Sequence, residues 1–263
     1  MRYTPKTLKT NVNVSPSSPV KELLLLLTGA LAILILLYLA LGFCVDLIAP
    51  KISPRLEERL GGLFSQFYAD ELHTTETERL QRLLDEEVKE LPEKRLNYSV
   101  HLVENNQINA IALPGGHIVV FTGLLKEINT DDALAFVLGH ELGHFIHHDH
   151  LRGLGRGLTL WALSAFLLGA DNSVTTFLGH SLLGIQMKYT RQQETQADMF
   201  ALEITHRTFH NVSGAVEFMQ QLAEKEKRGP LAYYFATHPY PKDRIADIEE
   251  EIREKGYSLF KKN

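Results

Sequence analysis

The chain has 263 residues, 44% of them hydrophobic, and a net charge of −5 at neutral pH. That is enough apolar side chain for one sizeable core, and without a basic block in its body the chain is not expected to bind nucleic acid. The single cysteine, Cys44, excludes an intramolecular disulfide framework and a cysteine-based zinc site, so any bound metal must use His, Asp or Glu.

Residues 1–22 form a polar tail rich in Ser, Thr, Pro and Asn, expected to be disordered, with Arg2, Lys6, Lys9 and Lys21 against Glu22. An uncharged run follows from Leu23 to Val45. As a helix it is about 34 Å long, enough to cross a typical hydrocarbon core. The flank at residues 46–60 balances three acids with three bases. The positive charge therefore keeps the amino terminus in the cytoplasm and sends the bulk of the chain across, into the periplasm if the cell is bacterial. The run is long for a cleaved signal peptide and no A-x-A-like site follows it. Phe43 in front of Cys44 is no small residue of the kind a lipidation site would have. Residues 23–47 are thus expected to be a retained single-pass anchor.

Residues 48–95 read as a helical lead-in. Leu56, Leu60, Leu63, Phe64 and Phe67 recur at helical spacing, with Gly61 and Gly62 weakening the middle. Thr75 and Glu78 have the form of a capping box for a second helix carrying Leu80, Leu83, Leu84, Val88 and Leu91, and Pro92 marks its stop. From Leu96 the period changes to two. Tyr98, Val100, Leu102 and Val103 suggest one strand; Asn109, Ala110, Ile111, Ala112 and Leu113 a second; Ile118 to Phe121 a third, after the turn Pro114-Gly115-Gly116. A small antiparallel sheet is expected. The stretch from Asn109 to Gly116 is a candidate edge to which an extended peptide adds by main-chain hydrogen bonds, an ordinary hairpin being the plain alternative.

The next segment carries the chemistry. Thr130-Asp131-Asp132 gives a helix start, and Ala133, Phe136, Val137 and Leu142 an apolar stripe. Within that helix lies His140-Glu141-Leu142-Gly143-His144. Two imidazoles one turn apart point the same way and can hold two corners of a tetrahedral zinc. Glu141 then lies beside the open coordination position, where it can take a proton from a water, which suits metal-assisted hydrolysis. His150 stands ten residues after His140, the spacing of a third histidine ligand in one protease class, but His147 replaces the glycine that turns the chain there. The helix is therefore expected to continue, with His147, His148 and His150 as helix-end residues.

Residues 158–170 are a second apolar run, and residues 174–185 continue it less strongly. Neither is long enough to span a bilayer. A buried helical hairpin beside the metal helix is expected, with contact to the membrane surface as the other reading. Glu194 and Asp198 lie one turn apart on the following helix, so one is suited to bind metal while the other accepts the N–H of a ligating histidine. Residues 211–227 read as an amphipathic helix and residues 242–255 as a charged one. His238 between them and Arg244 at the start of the second are candidate donors to a developing oxyanion, a Pro-bounded loop with a surface arginine being the plain alternative that these residues alone favour.

Four stretches together resemble one family: Asn109 to Gly116, the His140–His144 motif, Glu194-Thr195-Gln196-Ala197-Asp198, and His238-Pro239 with Arg244. They are similar to the HtpX-like membrane-associated zinc metalloendopeptidases, the gluzincin group that also holds the CAAX prenyl-protein protease and the mitochondrial Oma-type proteases. The resemblance covers roughly residues 55–250. It implies an α+β, mainly helical zincin-like domain over residues 48–263, with a catalytic core at 96–263. It implies one Zn2+ on His140, His144 and Glu194, with Glu141 as general base and Asp198 orienting a zinc histidine. His238 and Arg244 would lie near the substrate carbonyl, and Asn109, Ala110, Ile111 and Ala112 would bind the backbone of a polypeptide substrate. The rival reading is a zinc-stabilised, catalytically silent or self-inhibited binding or chaperone module at the membrane.

Overall fold

The computed structural model describes residues 18–128, 130–183, 189–226, 238 and 241–259. The polar tail falls outside them up to residue 17. The chain opens with one long helix, α1 (Pro19–Ile48), running into a 3₁₀ turn at Ala49–Lys51. A short helix, α2 (Pro54–Gly61), gives way at the expected glycine pair to a 3₁₀ segment, Gly62–Phe67. Next comes α3 (Thr75–Lys89). Its capping box lies one residue earlier than expected, on Thr74 and Thr77, because Thr74 takes the extended backbone that a cap requires.

Three strands follow, β1 (Ser99–Val103), β2 (Ala110–Leu113) and β3 (His117–Phe121). The sheet is mixed rather than antiparallel, with order β1-β3-β2. The turn at Gly115 and Gly116, both at positive φ, makes the β2–β3 hairpin antiparallel, with Ala112 opposite Ile118. Strand β1 pairs with the other side of β3, and the chain has reversed twice by then, so that pair is parallel, with His101 opposite Val119. Leu72 and Glu71 pair with the outer edge of β1. No strand pairs with the outer edge of β2 among the described residues.

After α4 (Thr122–Glu127) comes α5 (Asp131–Ile146), capped by Thr130 as expected. Every residue from Ala133 to Phe145 is buried, so α5 is a helix apolar on all sides with three ionisable side chains set into it. It packs on α3, on β2 and on α8 (Arg191–Phe209) and α9 (Ser213–Glu226). Alternate sheet residues face two cores. Val100, Leu102, Ala112, Ile118 and Val120 join the large one with α3 and α5, while Ile111, Leu113 and Val119 meet Phe64, Leu154 and Tyr189. The closing helix is α10 (Pro241–Lys255), against α8 and α9.

Two expectations are corrected between α5 and α8. The helix does not continue through His147. It ends at Ile146, His148 takes a left-handed conformation at φ 57°, and a new helix, α6 (Asp149–Leu168), starts at once. Histidine tolerates that region better than most side chains, and the Arg95 guanidinium holds the ring at 2.8 Å. The hairpin made by α6 with α7 (Ser173–Leu183) is not buried beside α5. It packs along α1, leaving Phe166 85% and Phe177 68% exposed, because two helices and one neighbour cannot cover all the apolar faces.

Candidate metal centre

Two helices build the centre, and His238, just ahead of α10, closes it. In α5, His140 and His144 are separated by one turn, and their Nε2 atoms lie 3.2 Å apart. Helix α8 comes unusually close to α5. A Cβ on Gly143 would lie 3.0 Å from Cα of Ala197, so glycine facing alanine lets the two backbones approach. That approach carries Glu194 to the imidazoles: one oxygen is 3.6 Å from His144 Nε2, the other 3.7 Å from His140 Nε2. His238 completes the group, with Nδ1 3.3 Å from His140 Nε2 and 3.2 Å from Glu194 Oε1. All four side chains are buried, and one ligand atom from each lies within 4.8 Å of the others.

Each imidazole of α5 is held from behind by its own carboxylate. His140 Nδ1 donates to Asp198 Oδ1 at 2.9 Å, and His144 Nδ1 donates to Asp149 Oδ2 at 3.1 Å. An ionised carboxylate only accepts, so both protons sit on Nδ1 and both Nε2 lone pairs face each other and the Glu194 oxygens. Such a convergence of acceptors is repulsive unless a cation lies among them. Donors about 2.0–2.1 Å from a tetrahedral zinc stand roughly 3.3–3.4 Å apart, which is the spacing found. Zinc fits the donor set.

The surrounding charges keep the donors in the ligating state. Arg244 sits between the two acids of α8, with Nε 2.6 Å from Asp198 Oδ2 and Nη1 2.5 Å from Glu194 Oε2. Burial alone would raise both carboxyls, but Arg244 and the neighbouring histidines hold them below the usual carboxylate range. Burial lowers the His144 imidazole, which keeps it neutral. His238 is raised: burial opposes its charge, and Glu194 and Glu141 outweigh it. Glu141 points into the same space, its Oε1 3.7 Å from His238 Nε2 and its buried Oε2 without a hydrogen-bond partner among the described residues.

The structure thus brings together His140, Glu141, His144, Glu194, Asp198, His238 and Arg244, with β2 packed against α5 beside them. His150 stays out: its Nε2 is 2.8 Å from Glu57 Oε1 and its Nδ1 3.2 Å from the carbonyl of His144. Two residues escaped the sequence reading. The sequence assigns Asp149 no role, and only its place just beyond His144 hints at one. Tyr189 lies at the start of the α8 segment, and nothing in the sequence marked it. Its ring stacks on His144 with centroids 3.8 Å apart, and its buried hydroxyl has no hydrogen-bond partner among the described residues.

A model of peptidase family M48 matches residues 74–252, more than half of the chain. The chain belongs to peptidase family M48. It is 29% identical over 162 residues to mitochondrial metalloendopeptidase OMA1 of Schizosaccharomyces pombe, covering 60% of this chain and 48% of that protein. The mitochondrial metalloendopeptidase OMA1 of Bos taurus is 30% identical over 177 residues, covering 60% and 33%. Metalloprotease YcaL of Escherichia coli is 29% identical over 163 residues, covering 60% and 62%. The matches thus cover a third to under two thirds of these relatives' lengths. M48 membership and the donor set together identify the cofactor as zinc.

Proposed function

We propose that the chain is a zinc metalloendopeptidase anchored in a membrane by α1, with its amino terminus cytoplasmic and its peptidase domain across the bilayer. A role in protein quality control fits this reading. The observation that carries it is the buried convergence of His140, His144 and Glu194, with the Glu141 carboxylate turned toward the same space.

Zinc held by those three residues supplies Lewis acidity toward a peptide carbonyl and makes a water easier to deprotonate. Glu141 takes the proton of the attacking water and passes it to the leaving amine. Asp198 and Asp149 fix the Nδ1–H tautomer of the two imidazoles and so aim their Nε2 atoms. Arg244 is spent on Asp198 and Glu194, so it positions ligands instead of meeting the substrate carbonyl. The Tyr189 hydroxyl and the His238 imidazole are the donors for the developing oxyanion. Substrate backbone adds to the outer edge of β2, at Asn109, Ala110, Ile111 and Ala112.

The test uses the full chain in detergent. It should carry one zinc and cleave casein in a reaction stopped by o-phenanthroline. Glu141→Gln should lose about 10²–10⁴ in rate while keeping its zinc. A variant that cuts as well as the parent, or a protein without transition metal, overturns the assignment.

The self-inhibited module is the second reading, and the place of His238 favours it. Its Nδ1 stands from His140 and Glu194 at the same spacing as the other donors, as a fourth ligand closing the site would. His238→Ala raises cleavage if the imidazole is a plug and lowers it if it is an oxyanion donor.

A further inference from the structure

The α6–α7 hairpin has its polar and apolar surfaces reversed for a water-soluble element. Between Arg156 and Lys188 the sequence holds a single Asp, Glu, Lys or Arg, Asp171. Trp161, Phe166, Leu167, Leu168, Val174 and Phe177 are all exposed. The polar groups between the two helices turn inward, while Ser173 and Thr176 stay exposed near the tip. Ser164 and Thr175 share a buried hydrogen bond of 2.6 Å between the two helices, and the Thr159 hydroxyl donates to the carbonyl of Gly155 at 2.9 Å. Satisfied polar groups inside and apolar side chains outside is the arrangement that hydrocarbon requires.

The direction of the hairpin matches that of α1. Leu34, Tyr38, Gly42 and Val45 form the half-buried stripe of an otherwise exposed helix, and α6 is the helix that packs along it. Gly155 admits the Val45 side chain, since a Cβ there would lie 2.7 Å from Val45 Cγ1. Just beyond this contact, Arg156 donates to both oxygens of Asp46 at 2.9 Å. Asp46 is the first charge after the apolar run of α1, and Arg156 the last before the apolar run of α6. The two helices therefore change from charged to apolar at one level, and the ion pair marks it.

We propose that the α6–α7 hairpin is a second membrane-embedded element, seated beside α1 in the hydrocarbon of the same bilayer. The proposal rests on the reading of α1 as a membrane span. From Leu158 to Leu168 the hairpin is about 16 Å deep, so it enters one leaflet and returns, with Asp171, its one Asp, Glu, Lys or Arg, at the tip beside the exposed Ser173. Asp149 lies on α6 about 14 Å before Leu158. The hairpin thereby ties the metal centre close to the membrane surface, and the substrate bonds it reaches are those of polypeptides held at that surface.

Trp161 is the only tryptophan in the chain, so its emission reports on the hairpin alone. The full chain is reconstituted into phosphatidylcholine vesicles with or without brominated acyl chains, then floated after alkaline carbonate. A chain that does not float overturns the membrane reading of α1 and this proposal with it. In a chain that floats, the bromolipid should quench Trp161 about twofold or more, with the indole closed to iodide, because the ring lies in hydrocarbon. Floating with Trp161 open to iodide places the hairpin in water. Floating with Trp161 closed to both quenchers places it against protein, such as a second copy. Either result overturns the hairpin and leaves the anchor standing.

Discussion

Asp149 accepts the Nδ1–H of His144 at 3.1 Å from the first residue of α6, a helix that starts only because His148 turns the chain. Gln193 Nε2 and Arg152 Nη1 donate to its other oxygen at 2.7 and 3.2 Å. The carboxylate is therefore ionised and oriented before any metal arrives, as Asp198 is behind His140. Asp149→Asn keeps the size and loses the obligatory acceptor, so the His144 tautomer is no longer fixed. Zinc affinity should fall by about 10–100-fold in a chelator competition, with the thermal midpoint of the metal-free protein little changed. Unaltered affinity would remove Asp149 from the site.

Tyr189 is expected to act on the reacting carbonyl and not on the metal. Burial and the nearby Glu141, Asp149 and Glu194 carboxylates push its phenol well above the usual range, so it remains a donor at neutral pH. Tyr189→Phe keeps the stacking on His144 and removes only the hydroxyl. The expected result is a loss of about 10²–10³ in kcat with KM and zinc content near the parent values. A change confined to KM would assign the hydroxyl to substrate binding alone.

The pair Glu57 and His150 is structural. Both are buried, and the His150 bond, working against burial, holds the Glu57 carboxyl below its ordinary range. His150→Ala leaves that charge without its partner, so it should cost about 3–5 kcal/mol in denaturant unfolding. Zinc stoichiometry should not change. Loss of the metal instead would return His150 to the ligand set.

Glu87 gives a pH signature far from the chemistry. It is fully buried between α3 and α8, where the Thr205 hydroxyl donates to Oε1 at 3.0 Å. Burial pushes its carboxyl well above 4.5, and the Thr205 bond offsets only part of this. The native state thus keeps a proton that the unfolded state releases. The contribution is fully present below pH 4.5 and is lost as pH rises through the folded value. Glu87→Gln should raise the thermal midpoint at neutral pH, by about 2–4 °C for each kcal/mol recovered, and flatten its fall with rising pH. A lower midpoint at neutral pH would show the carboxylate to be compensated.

Much of the centre was legible in the chain because it depends on local spacing. His140 and His144 share a face by helical period alone, and so do Glu194 and Asp198, once each helix has its cap at Thr130 and Thr190. The uncharged run before Asp46 likewise announced one long apolar helix. What the sequence left undecided needs contacts between distant segments. By spacing alone Glu194 and Asp198 are interchangeable, and only the family resemblance told them apart; the physical reason is that α8 approaches α5 at Gly143, which puts Glu194 at the Nε2 atoms and Asp198 behind His140, 58 residues away. The partners of Arg244, the stacking of Tyr189, the parallel pairing of β1 with β3 and the exposure of the α6–α7 hairpin follow from packing in the same way. Periodicity fixes the face a side chain occupies along its own helix, and only the assembled core fixes what that face meets.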